Sequence, residues 1–214
     1  MSGKQLVFEI LSDGAGKRTA SLKEGKIEYG GALYDELFFD AETLSTMFAE
    51  ASFVLHDVTI GVGFHWERKE TQKFAGALKV IVDKGTLTAI NVVGVEDYLL
   101  SVISSEMSAS ASEEFLKAHA VISRSWVMAQ IAAARQHVTG IVPEGVYNVP
   151  TLVADLDGRF NTVPYKGDGA YQEYVKWYDH EDHHSFDVCA DDHCQRYQGL
   201  TRATGATVRK AIDS

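Results

Sequence analysis

"VEDYLLSVISSEM", residues 95–107, is where the chain changes character. Leu99, Val102, Ile103 and Glu106 recur at helical spacing, so one face of a short helix carries three apolar side chains and one carboxyl. The next stretch, "SASASEEFLKAHAVISRSWVMAQIAAARQH" (108–137), opens with Ser110-x-x-Glu113, a capping-box signature, and continues for about 24 residues without glycine or proline. Small residues along it (Ala118, Ala120, Ser123, Ala129) allow close approach of another element. The spacing predicts a central buried helix.

On the N-terminal side the pattern is that of strands. "KQLVFEIL", "RTASLKEGKIEYGG", "ASFVLHDVTIGVGF" and "GALKVIVDKGTLTAINVV" are short apolar or alternating runs broken at glycine or at Asp-Lys-Gly, the punctuation hairpins require. "DAETLSTMFAEA" (40–51) reads as one short helix between them. Beyond the helices, Pro143, Pro150 and Pro164 mark a long irregular excursion over 140–169. The expected fold is α+β: a β-rich part, residues 1–90, packed against a helical catalytic core, residues 91–214, with a long irregular loop.

Thirty acidic against 20 basic residues give a formal net charge of -10, and with no basic run the chain is repelled by phosphate backbones; nucleic acid is not an expected partner. No stretch reaches the roughly 20 apolar residues of a membrane span, and "MSGKQLVFEILSDG" lacks the features of a secretion signal.

Two features call for a chemical reading. Glu96 and Asp97 stand in a first turn, where acids favour the helix dipole and face water. Glu106 instead lies on the apolar stripe. Either the helix ends before it and leaves it in solvent, or desolvation keeps the carboxyl protonated and able to donate to a leaving oxygen. The second feature is "HEDHHSFDVCADDHCQRYQG" (180–199), which holds both cysteines and four of the eight histidines. It admits a Cys-His nucleophilic pair, a Cys189–Cys194 disulfide, a polar turn of neutral histidines, or a metal site. His183, Cys189, His193 and Cys194 form a two-Cys, two-His set suited to tetrahedral zinc, with His184 or His180 as substitutes for His183. A catalytic zinc amidase is disfavoured, since only Asp191 and Asp192 stand nearby as bases.

These motifs together resemble the stage II sporulation protein D family, also called amidase-enhancer proteins. The likeness covers about residues 66 to 210 and rests on the acidic-Tyr-Leu helix, Ser-Glu-Met, Leu-Lys-Ala-x-Ala-Val with its later arginine, and Cys-x(4)-Cys-Gln. "WERKETQKFAGALKV" also looks like the family's approach to its first motif.

The resemblance implies a peptidoglycan lytic transglycosylase acting outside the cytoplasm on glycan strands stripped of stem peptides. Glu106 then matches the catalytic glutamate, and Arg124 and Ser105 match positions near it; Arg124, on a buried helix, reads first as a structural ion-pair partner and otherwise as a residue that holds a sugar or the acid. His119 reads as a satisfied polar residue at a helix surface and Tyr98 as core. Metal binding in the His/Cys segment occurs in some members, which favours a closed, structural zinc that presents Gln195 and Tyr197 to a sugar groove; the proposed chemistry itself needs no cofactor. A different class stays open: a non-catalytic glycan-binding module that recruits or activates a cell-wall amidase. The sequence departs from the family at Ser108 and Ser112, where prolines are common. The family also usually continues past the position of Ser214 with strands and a Ser/Cys-x-Gly-Gly segment, so either the chain is a cut or trimmed form or another chain supplies those groups.

Overall fold

Alternating apolar runs with turn residues between them become antiparallel strands, and in this protein ten of them precede the first α-helix among the described residues. The structure is a computed structural model and describes residues 2–40, 50–107, 110–139, 183, 185–190, 193–202 and 205–214. The helix expected at 40–51 and the excursion over 140–169 fall almost wholly outside those residues, as do His180, His184, Asp191 and Asp192.

The strands are β1 (Ser2–Gly3), β2 (Gln5–Ile10), β3 (Arg18–Lys23), β4 (Lys26–Tyr29), β5 (Ala32–Tyr34), β6 (Glu36–Phe39), β7 (Phe53–Ile60), β8 (Arg68–Phe74), β9 (Ala77–Asp83) and β10 (Thr86–Val92). They form two sheets, one ordered β5-β4-β3-β2-β7-β8 and one ordered β1-β10-β9-β6. The Asp-Lys-Gly signal holds: Asp83 pairs with Thr86 across a two-residue turn in which Lys84 and Gly85 both have positive φ.

Inward-facing residues of both sheets share one apolar cluster with the helices, including Phe8, Ile27, Phe53, Leu78, Leu87 and Leu99. Phe8 meets Tyr29 and Phe39 at ring separations of 5.9 and 5.1 Å, which ties the two sheets together.

Among the described residues three α-helices follow: α1 (Val95–Glu106), α2 (Glu113–Thr139) and α3 (Ala206–Asp213). The fold is α+β, as expected. Helix α1 is the buried one, with every residue from Asp97 to Ile103 inside. Helix α2 is not buried all round. Leu116, Ala120, Ser123 and Val127 face the core, while Phe115, Val121, Ile122 and Met128 are exposed. Its start also differs from the capping box: the Ser112 hydroxyl accepts the Phe115 N–H at 3.3 Å, so serine caps the helix at one of the two positions where the family commonly has proline. Glu113 turns instead to Lys117 and, on α3, Lys210, each at 2.8 Å.

Candidate functional site

Glu106 is the last residue of α1, and the Met107 N–H closes the helix on the Ile103 carbonyl at 3.1 Å. The residue as a whole is exposed, because its backbone ends the helix, while its side chain is 25% exposed. The carboxyl is therefore not desolvated among apolar neighbours. It is held by two polar partners instead. His119 Nε2, on α2, lies 3.1 Å from Oε2, and the backbone N–H of Arg196 donates to Oε1 at 3.1 Å. His119 Nδ1 is buried without a hydrogen-bond partner among the described residues. A bare ring nitrogen tolerates such a place better than an N–H does, so we assign the proton to Nε2, which donates to the carboxylate. Each oxygen keeps a second lone pair for other use.

The amide of Arg196 reaches Glu106 because the segment 194–199 lies along α1, fastened at successive residues. Tyr98 donates its hydroxyl to Gln195 Oε1 at 3.1 Å, and the Gln198 N–H donates to the Ser101 hydroxyl at 3.0 Å. Between them Tyr197 stacks on Tyr98 at 5.1 Å, packs near Phe74 at 6.0 Å and donates to Asn91 Oδ1. Burial pushes the phenols of Tyr98 and Tyr197 well above the ordinary tyrosine value, so both stay protonated as donors. On the side chain, the Arg196 guanidinium lies 5.3 Å from the centre of the Trp66 ring.

One turn upstream, His183, Cys189, His193 and Cys194 each offer a ligand atom, all within 4.8 Å of one another. Cys194 Sγ is 3.4 Å from His183 Nε2 and 3.5 Å from His193 Nδ1, and Cys189 Sγ is 3.8 Å from His193 Nδ1. A tetrahedron with Zn–S of about 2.3 Å and Zn–N of about 2.0–2.1 Å has S···N edges of about 3.6 Å. The donor set therefore fits a dication in its chemistry, and three of its ligand-to-ligand distances, 3.4, 3.5 and 3.8 Å, are near the edges of a tetrahedral site. The cysteines are not joined in a disulfide in this structure. A hydrogen bond with Cys189 and then burial push the Cys194 thiol up, and the Cys189 N–H donates to Cys194 Sγ at 3.4 Å. Phe186 stacks on His183 at 4.7 Å, and Ser185 anchors the loop by donating to Asp83 at the end of β9, 3.1 Å away.

The structure thus brings Glu106 and the His/Cys set to the two ends of one short segment, and it corrects several expectations. Of the two readings of Arg124, the structure shows the ion-pair role and not a place at Glu106. Arg124 pairs bidentately with Glu96 at 3.1 and 2.7 Å and donates to the Ile212 carbonyl at 2.9 Å, fastening α2 to α1 and α3. Glu96 is thereby an ion-pair partner, and Asp97 is buried rather than facing water. Gln195 and Tyr197, at 8% and 9% exposure, are buried and carry the segment; of the two, Tyr197 borders the open groove beside it and Gln195 does not. The Ser105 hydroxyl is buried without a partner among the described residues. Three contributors were not singled out from sequence: the pairing role of His119, the Arg196 amide and Trp66. His119 lies 13 positions from Glu106 across a turn, which no periodicity links, and a main-chain N–H leaves no signature in residue type.

An open groove of about 1940 Å³ runs beside the segment and is lined by Val62, Trp66, Asn91, His183, Phe186 and Arg196 among others. Glu106 stands beyond Arg196, outside that lining.

The family model described as SpoIID, stage II sporulation protein, matches residues 83–214. No curated protein and no solved structure matches the chain. The match begins in the β9–β10 turn and takes in β10, all three helices and the His/Cys segment, so it contains both the carboxyl and the clustered ligands. Covering well over half of the chain, it establishes that this protein belongs to the SpoIID stage II sporulation protein family.

Proposed function

We propose that the protein is a peptidoglycan lytic transglycosylase that cleaves the bond between N-acetylmuramic acid and N-acetylglucosamine in glycan strands lacking stem peptides, with Glu106 as its single acid and base. Family membership agrees with a role at the cell wall. The observation that carries the reading is the holding of Glu106: a carboxyl at a helix end, fixed by one donor on each oxygen, with a lone pair left on each for a proton. Protonated Glu106 gives its proton to the glycosidic oxygen as the C1–O bond breaks and an oxocarbenium-like centre forms. The resulting carboxylate takes the proton of the muramic 6-hydroxyl, whose oxygen bonds to C1 and closes the 1,6-anhydro ring. The proton count balances on one residue and no water is consumed, so the second carboxylate of a hydrolytic glycosidase has no task here. The Arg196 amide and His119 stabilise the carboxylate between the two steps.

His183, Cys189, His193 and Cys194 are the residues that would hold a structural zinc. Four protein ligands close its coordination, so its contribution is to pin the segment that delivers the Arg196 amide. The proposed setting is extracytoplasmic, with peptidoglycan strands as the substrate and a cell-wall amidase as the enzyme acting before it.

The test is digestion of peptide-free glycan strands followed by mass analysis of the ends. Wild type should release 1,6-anhydromuramic ends and Glu106→Gln, equally folded, should release at least about a hundredfold fewer. Binding to the strands with no anhydro ends from either protein would support the non-catalytic glycan-binding module instead.

A further inference from the structure

The turn between β7 and β8 reads Gly61-Val62-Gly63-Phe64-His65-Trp66-Glu67 and exposes apolar side chains that folding alone does not call for. Val62 is 57% and Phe64 50% exposed. The turn is nevertheless firmly built. The Phe64 N–H donates to the Gly61 carbonyl and the Glu67 N–H to the Phe64 carbonyl, both at 3.0 Å, while the Gly63 N–H donates to Glu67 Oε2 at 2.9 Å. Gly61 has φ +67°, and a Cβ there would stand 2.3 Å from the Trp66 ring, so only glycine lets the indole lie against the backbone. The Phe64 and Trp66 rings are nearly parallel, with centres 5.4 Å apart and planes 17° apart. Phe64 is the exposed member, and Trp66, half-buried, is its backing.

We propose that this tip is a saccharide-stacking subsite, in which Phe64 takes the apolar C–H face of a pyranose ring of the bound glycan. The proposal rests on the glycan substrate named above. What directs it to that ligand is continuity with the carboxyl. The Trp66 ring carries the Arg196 guanidinium at 5.3 Å, and the Arg196 N–H sits on Glu106 at 3.1 Å, so one residue joins the aromatic pair to the acid. A polymer lying across Glu106 continues past Arg196 onto the tip.

The alternatives fit less well. A stable protein interface needs about 800 Å² from each partner, whereas the apolar part of this tip is Val62, Phe64 and the edge of Trp66. Glu67 and Glu70 offset Arg68 and Lys69 at this turn, so on a chain of net charge -10 it offers no basic cluster to an anionic bilayer. A flat ring with hydrogen-bonding residues around it suits a sugar, whose own faces are apolar and whose rim is polar.

The test uses the full chain with Phe64→Ala and Phe64→Tyr, folding being checked by circular dichroism. Binding to insoluble peptide-free glycan is measured in the Glu106→Gln background, and kinetics in the wild-type background. Phe64→Ala should weaken binding and raise KM about five- to tenfold, with kcat within about twofold. Phe64→Tyr should keep both near wild type. Unchanged binding and KM in Phe64→Ala, or a loss in Phe64→Tyr equal to that in Phe64→Ala, overturns the subsite. So does Phe64-dependent binding to phosphatidylglycerol vesicles with none to glycan. The two readings separate cleanly: Phe64-dependent binding without anhydro ends retains the subsite and removes the catalysis. Anhydro ends formed by Phe64→Ala at unchanged KM do the reverse.

Discussion

At the scale of single residues, the candidate site is a carboxyl whose two oxygens are each assigned a donor. Glu106 could be singled out from sequence by its place on an apolar stripe and by the Ser-Glu-Met motif, but the reason first offered, desolvation, is not what the structure shows. The carboxyl is held by His119 and the Arg196 amide. His119 is a positioning residue, since it acts through Glu106. A charge-assisted hydrogen bond of about 1.5 kcal/mol corresponds to roughly tenfold in rate. His119→Ala should therefore lower kcat about tenfold on glycan strands with KM little changed. His119→Gln, whose amide N–H can replace the ring donor, should recover most of the loss. Equal losses in both variants, or a loss confined to KM, would count against the positioning role.

Among the elements, what matters is how the segment 194–199 and helix α3 are fastened. Gly199 has φ +57°, and a Cβ there would stand 2.3 Å from the Lys73 carbonyl and 2.6 Å from the Phe74 ring. Gly199→Ala should cost at least about 2 kcal/mol, from backbone strain and displacement off β8. Chemical denaturation should show it as a lower midpoint at unchanged slope. Helix α3 depends on charge. Hydrogen bonds from Lys117 and then Lys210 hold Glu113 at about 2, below the ordinary 4.5. Because the folded value is the lower one, the contribution is complete above about pH 4.5 and is lost as pH falls toward 2. Thermal melts across that window should fall more steeply in wild type than in Glu113→Gln; parallel curves would remove the linkage. The strands, the hairpin at Lys84–Gly85 and both long helices were legible because period and turn chemistry are local properties. The true cap at Ser112 and the one-sided burial of α2 were not, because each depends on what packs against the helix.

For the whole molecule, the segment that leaves the His/Cys set is the clearest case of distant parts meeting. The four donors of the set converge, three of their spacings near the edges of a tetrahedral zinc site, and the segment that follows carries Gln195 to Tyr98, the Arg196 amide to Glu106 and Gln198 to Ser101. Protein purified without chelator should contain about one equivalent of zinc. Stripping it should lower the melting temperature by about 5–15 °C, the effect expected of a ligand present at 100–1,000 times its Kd, and should reduce glycan cleavage along with stability. Zinc below a tenth of an equivalent, with no gain on addition, would argue against the site. The sequence by itself determined the α+β class and the family, and it singled out Glu106 and the clustered His183, Cys189, His193 and Cys194, since these are written in residue types, periods and short spacings. Only the tertiary structure decided that Arg124 clamps helices, that Gln195 and Tyr197 are core, and that His119 and a backbone amide hold Glu106. The physical reason is that these roles are set by which groups lie within about 3 Å after folding, and residues from 13 to 97 positions apart reach that distance only when sheets and helices have packed.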